Sequence, residues 1–416
     1  MKKLSKILLH MRKLIINFFI LYFISLLSSC VNKSGEKHKI EQNSIKKKVE
    51  LPYEIGLKEK LNHTENIPLS ILGKQLKYIV LETSPDCLLR KIDHIVFTDN
   101  FIFISDFDAL YKFGRDGSFI QKIGKTGRGP GEYRNVFTFA LDKLQNKIYL
   151  YNWGIMQEYD FDGNYIKSLD VNKLVSTQYI IHNSDEFIFH IGNAPEYSNP
   201  IEYSLIVTDT NAKPIASFIN YHKRKSKPGI TIAKSPFYIF RGQLRFMEYS
   251  VDTLYTVVSD RLKPYAIFDL GRFKMNPDPL IPLDESGKNK VLKQLNNKIW
   301  IRDILEDTDY LYINLAYGFT DSLKLGIFNK HDKSIIYLNG SGFINDLDGG
   351  VRFWPKYIYN DRVLVDYVKA YDFKATFLDK TSPDFKEKYG EKYTKLINIA
   401  DKLNDESNPV LMIMKR

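Results

Sequence analysis

The 416-residue chain is poor in the side chains that carry much enzyme chemistry, with two cysteines, three tryptophans and eight histidines. Two cysteines, Cys30 and Cys87, cannot build a cysteine zinc site. Apart from His94, nothing near Cys87 in sequence suggests an activating base, so it reads as a small buried hydrophobe. His94, His182, His190, His222 and His331 show no H-E-x-x-H spacing, and no G-x-S-x-G elbow occurs. Gly124-Lys125-Thr126 has the ending of a phosphate-binding loop, but six residues rather than four separate it from Gly117. Gly127, Gly129 and Pro130 also forbid the helix whose N-terminus would hold the phosphate. No apolar run reaches the ~20 residues of a membrane-spanning helix. A dedicated nucleic-acid-binding role is excluded as well. Of the formal charge of +11, five units come from Lys2, Lys3, Lys6, Arg12 and Lys13, and the chain from residue 30 onward carries only +6.

Tyrosine and phenylalanine are abundant, at 27 each, in a chain that is 44% hydrophobic and 26% charged. Such a chain can build a core, and its aromatic bias suits pleated strands. The first 29 residues have the parts of an export signal: a basic stretch to Lys13, an apolar stretch over 14–27, and a small Ser28-Ser29 pair before Cys30. Here the sequence resembles a bacterial lipoprotein signal. The resemblance implies cleavage before Cys30, diacylglycerol on its thiol and acylation of the new N-terminus, which makes membrane lipid a partner. The competing reading is an uncleaved signal anchor with an incidental cysteine. Residues 30–50 are polar and lysine-rich, and are expected to form a flexible tether in which Lys46, Lys47 and Lys48 are solvated. The expected address is a bacterial cell envelope. No acidic cluster follows Cys30, which favours a periplasm-facing position over surface exposure.

An internal repeat carries the fold. IFISDFDAL at 102–110 reappears as IYLYNWGIM at 148–156, and YKFGRDGSFIQKIG at 111–124 matches QEYDFDGNYIKSLD at 157–170, both at an offset of 46 residues. Asp116-Gly117 and Asp162-Gly163 lie between alternating apolar runs, where Asp-Gly makes a tight hairpin at low steric cost. Four antiparallel strands recurring every 40–50 residues describe a propeller blade. Looser units follow at 176–220, 237–270 and 300–338, and two further strands lie after Trp354. Six blades result if the strands at 77–82 and 409–415 both join the last blade and close the ring. The predicted class is therefore all-β, a six-bladed β-propeller of four-stranded antiparallel blades over residues 51–416. Charged segments at 283–298 and 383–403 have helical spacing and are expected as short helical insertions in the C-terminal half.

GKTGRGPGEY at 124–133, DTLY at 252–255, DGG at 348–350 with FWP at 353–355, and NPVL at 408–411 resemble the bacterial six-bladed β-propeller lipoproteins, themselves similar to NHL repeats. The resemblance spans most of 77–416. It implies the fold and the address, and no reaction. Blade three departs from the pattern, with Thr210-Asn211-Ala212-Lys213 where blades one and two carry Asp-Gly.

In such a blade, the connections between its second and third strands emerge on the same face as those leading to the next blade. In this chain those connections are the long, glycine-rich and charged ones, and binding residues gather on loops of a rigid frame. The candidates there are Arg128, Arg134, Trp153, Trp354, Asp106 and Asp108. Packing between blades is the competing role for the tryptophans, and capping of loop carbonyls for the arginines. Asp346 and Asp348 form the candidate calcium loop, against an acidic loop that simply turns. The leading expectation is a membrane-tethered, non-catalytic binding module with an envelope protein or glycan partner. The alternative is a propeller-supported hydrolase or lyase using Asp106 and Asp108 with a divalent cation.

Overall fold

The computed structural model describes residues 51–416 apart from 153, 173, 175–177, 183–184, 192–202, 220–236, 249–250, 259–260, 275–292, 294–297, 318–322 and 379–382. Six antiparallel sheets make up the ring. Blade one runs His94–Phe97, Phe101–Ser105, Leu110–Gly114 and Phe119–Ile123 from the axis outward, which we call strands A to D. Blade two is Thr138–Asp142, Lys147–Asn152, Ile155–Asp160 and Tyr165–Asp170. Blade three is Gln178–His182, Glu186–His190, Tyr203–Asp209 and Pro214–Ile219. Blade four is Phe237–Phe240, Gln243–Phe246, Thr253–Val258 and Arg261–Phe268. Blade five is Ile299–Glu306, Tyr310–Tyr317, Leu323–Asn329 and Ile335–Leu338. The protein is a six-bladed β-propeller.

Blade six takes strands A and B from Tyr357–Tyr359 and Val363–Val368, strand C from Val410–Lys415 and strand D from Leu76–Val80. Val410 to Met414 pair with Val80 to Leu76, so segments more than 300 positions apart share one sheet. Strand C is nearly all core: Val410, Leu411, Met412 and Met414 are each at most 1% exposed.

The sequence reading missed the segment before strand D of blade six. Tyr53–Ile55 adds a fifth strand, parallel, to strand D of blade four through Ala266 to Phe268. Thr64–Glu65 adds in the same sense to strand D of blade five at Tyr337 and Leu338. This strap fills the wedges that open between blades toward the rim. Tyr53, Ile55, Leu57 and Leu61 are buried among side chains of blades four and five, and Leu69 and Leu72 lie in the core shared by blades five and six. Each such side chain contributes about 2 kcal/mol by leaving water. Lys58 pairs with Asp269 at 2.6 Å, Tyr337 donates to the Leu57 carbonyl at 2.6 Å, and Lys324 donates to the Leu61 carbonyl.

Helical structure also differs from the expectation. The helix expected at 283–298 falls almost wholly outside the described residues. The one expected at 383–403 is two helices, Pro383–Tyr389 and Glu391–Lys402, broken at Gly390 with φ +56°. A third helix, Ala370–Leu378, precedes them. We number the three α1 to α3 in chain order, α1 being Ala370–Leu378. All three form a single insertion between strands B and C of blade six. They pack on the loop before it through Phe373, Phe377, Tyr393 and Leu396.

Candidate binding site on the loop face

The turns joining strands A and B in blades one, two, four, five and six gather at one end of the axis. The Arg241 amide of blade four donates to Asp361 of blade six at 3.1 Å, and its guanidinium reaches Thr308 of blade five at 3.1 Å. Tyr359 of blade six donates to Asp99 of blade one at 2.5 Å beneath the ammonium of Lys143 of blade two. Blades four and six are not neighbours, so the first contact spans blade five. The opposite, long-loop face carries the larger connections.

Between blades one and two, residues 124–137 form one of these connections. Lys125–Thr126 pairs in parallel with Glu132–Tyr133, so the lysine-threonine pair lies on a short strand, and, as expected, no helix follows it. The Glu132 carboxylate turns back to accept the Arg128 and Gly129 amides at 2.9 and 2.8 Å. Tyr159 donates to the Gly131 carbonyl at 2.9 Å and Gln157 to the Glu132 carbonyl at 2.7 Å, both from strand C of blade two. Tyr133 is 1% exposed and donates to the Ile123 carbonyl at 2.8 Å. Burial pushes its phenol up to about 12, so it stays a donor. Gly131 sits at φ +73°, and a Cβ there would meet the Tyr165 ring at 2.7 Å, which explains the glycine.

The loop backbone is thus fixed, and its cations point outward. Lys125, Arg128 and Arg134 are all exposed, and among the described residues none of their side chains has a hydrogen-bond or ion-pair partner. Beside them lies an aromatic pair. The rings of Phe107 and Phe137 meet edge to face at 5.5 Å, and the Phe107 carbonyl accepts the Val136 amide at 2.7 Å. Phe137 is 37% exposed. Phe107 is held at φ +76°, a region that costs a bulky residue of order 1–3 kcal/mol and that persists where surroundings enforce it. Sequence reasoning passed over Lys125, Phe107 and Phe137. The available signal was an apolar residue directly after the glycine loop, where strand alternation alone does not require one.

The other candidates have different places. Trp153 lies outside the described residues. Trp354 is 5% exposed, stacked on Phe343 at 5.9 Å and edge-on to Tyr312 at 5.8 Å, in the core under the helices. Asp106 is 1% exposed and is consumed by the fold. One oxygen accepts the Asp108 and Ala109 amides at 3.1 and 3.0 Å, and the other accepts the Arg90 amide at 3.3 Å and the Tyr111 hydroxyl at 3.2 Å. Asp108 pairs with Arg90 at 2.6 Å. Asp348 is buried, which raises its carboxyl, and it accepts from Tyr78, Asn345 and the Gly350 amide. Asp346 caps the Ser70 amide at 2.9 Å. The two aspartates tie the strap and strand D of blade six to the loop that joins blades five and six. Among the described residues no group of three His, Cys, Asp or Glu side chains is placed to hold a metal ion.

The arrangement is that of a propeller with a rigid, cationic and aromatic patch on its loop face. The chain belongs to the DUF4934 family, a domain of unknown function, whose pattern matches residues 52–415. It is similar in structure to a candidate exported protein of Bacteroides fragilis NCTC 9343, with a TM-score of 0.67 and 18% identity over 88% of this chain and 100% of that one. A DUF4221 family member from Bacteroides vulgatus matches with a TM-score of 0.41 and 11% identity, over 63% of this chain and 84% of that one. No curated protein matches the chain. Among the described residues no helix is long and apolar enough to cross a membrane.

Proposed function

We propose that this protein is a lipid-anchored, non-catalytic binding module of the bacterial cell envelope, tethered through Cys30 and facing the periplasm. Its loop face holds an anionic partner, a glycan or an acidic protein surface. The observation that carries this reading is the display of Lys125, Arg128 and Arg134, exposed and without partners among the described residues, on a backbone fixed by Glu132, Tyr133, Gln157 and Tyr159. A pre-fixed loop loses little entropy on binding, and an unpaired guanidinium can take a carboxylate through two parallel hydrogen bonds. Phe107 and Phe137 add a flat apolar edge of the kind that packs on a sugar ring. The divalent-cation hydrolase reading is not favoured, because Asp106 and Asp108 already have partners within the chain.

The test uses the full-length protein and polygalacturonate, a polymer of sugar carboxylates. Saturable binding that weakens as salt rises is expected, and Arg128→Ala with Arg134→Ala should lower affinity about tenfold with an unchanged melting curve. Equal affinity of the double variant and the parent overturns the site.

A further inference from the structure

Strand D of blade three repeats strand D of blade four, but among the described residues no strand pairs with its outer edge. Blade four reads Pro264-Tyr265-Ala266-Ile267-Phe268 and blade three reads Pro214-Ile215-Ala216-Ser217-Phe218. The backbone repeats as well. In blade four Pro264 pairs with Tyr255 and Ala266 with Leu254, so Tyr265 is bulged out of register. In blade three Pro214 pairs with Thr208 and Ala216 with Val207, so Ile215 is the bulged residue. Position for position, the two strands have the same shape.

They differ in what covers them. In blade four the strap strand Tyr53–Ile55 pairs with Ala266, Ile267 and Phe268, and Tyr265 and Ala266 are 6% and 0% exposed beneath it. In blade three Pro214–Ile219 is the outermost strand among the described residues, Ala216 is exposed, and Ile215 and Ile219 are 55% and 52% exposed. A large apolar side chain beside an unpaired strand edge is a template for strand addition, and proteins normally blunt it. This chain shows on its own blade four how the edge is used: a short extended segment adds in parallel and buries alternate apolar side chains, and on blade five Thr64–Glu65 adds in the same sense.

We propose that the outer edge of blade three is a docking site for an extended segment of a partner protein. That segment has apolar residues at alternate positions, as Tyr53, Ile55 and Leu57 do, and adds parallel to Ala216, Ser217 and Phe218. Its first apolar side chain covers Ile215. A second copy of this chain is disfavoured as occupant, because its own strap is already seated on blade four.

A peptide of residues 51–61 serves as the probe, added to the full-length protein. Saturable binding is expected, with new hydrogen-exchange protection at 214–219. Ile215→Lys should weaken binding at least tenfold. Ile166→Lys, at the equivalent bulge of blade two and 47% exposed, should leave it unchanged, because Lys167 stands there in the place of Ala216 and its charge already blunts that edge. The proposal is overturned if the peptide does not bind, if Ile215→Lys binds it as tightly as the parent, or if protection rises on blade four instead. A concentration-dependent dimer abolished by Ile215→Lys also overturns it, by making a second copy the occupant.

Discussion

Arg416 donates to Asp307 at 2.6 Å, joining blade six to the turn between strands A and B of blade five. Its other guanidinium nitrogen reaches Asp309 at 2.5 Å. Asp307 also accepts from the Asp309 and Tyr310 amides and from the Tyr312 hydroxyl, and is 1% exposed. Lys330 links the turn to the fully buried Glu306, which Arg245, Tyr238 and Tyr265 hold from blade four. One network therefore crosses two blade interfaces.

Arg416→Ala leaves the Asp307 carboxylate buried with three donors. The expected cost is about 2 kcal/mol, the value of a hydrogen bond to a charged group. Urea unfolding checks it. Arg416→Lys should recover only part, because an ammonium cannot span two carboxylates in the guanidinium's fork geometry.

Asp106 and Asp307 do the same job in two blades. Each accepts amides two and three residues ahead and the tyrosine hydroxyl five ahead, Tyr111 and Tyr312 respectively. Asp106→Ala strands those donors and should cost about 3 kcal/mol. If Asp106 were instead a metal ligand, chelation would shift the melting temperature of the parent protein. Calorimetry with and without EDTA is expected to show no shift.

The strap carries a pH signature. The hydrogen bond from Lys58, with the Gly271 amide, holds the Asp269 carboxyl below its ordinary value of 3.8. A carboxyl lowered in the folded state stabilises fully above its unfolded value and loses that contribution as pH falls through the lowered one. Exchange protection of 53–65 should thus fall faster in the parent than in Asp269→Asn as the pH drops below 3.8. Parallel curves for the two proteins would show that this pair does not hold the strap.

Lipid attachment is checked directly. Cys30→Ala should give an uncleaved precursor that takes up no labelled fatty acid during growth. Label on the variant would remove the lipid anchor from the proposed function.

The blades were legible where glycine marked the turn. Gly117 and Gly163 sit at φ +96° and +82° between strands C and D, as the Asp-Gly pairs imply. Blades three and five place Ala212 at +63° and Lys333 at +60° in the corresponding turns, and nothing in those residue types announces the conformation. In blade three Asp209 accepts the Asn211 and Lys213 amides at 2.9 Å each and so holds the turn that glycine would otherwise ease. The strap was hidden for another reason. Three residues pair with a strand more than 200 positions away, and only the Tyr53-x-Ile55-x-Leu57 alternation hints at it. Trp354 looked like a loop aromatic because residues 340–355 lack strand alternation, and its burial depends on helices inserted later in the chain.

The strap also sets an order of events at birth. Tyr53 is synthesised long before Ala266, Thr64 long before Tyr337, and Leu76 long before Met414, with which they pair. At ~5–20 residues per second, each of these early segments waits tens of seconds for its partner. Blades one to three can form from contiguous chain in that interval, whereas blades four to six cannot acquire their outermost strands without a long loop closure, which slows folding. The second half of the ring should therefore mature last, and an emerging chain keeps Tyr53, Ile55, Leu57 and Leu61 uncovered until then. A holdase that binds short apolar stretches would find its target there, in a segment that the finished molecule hides.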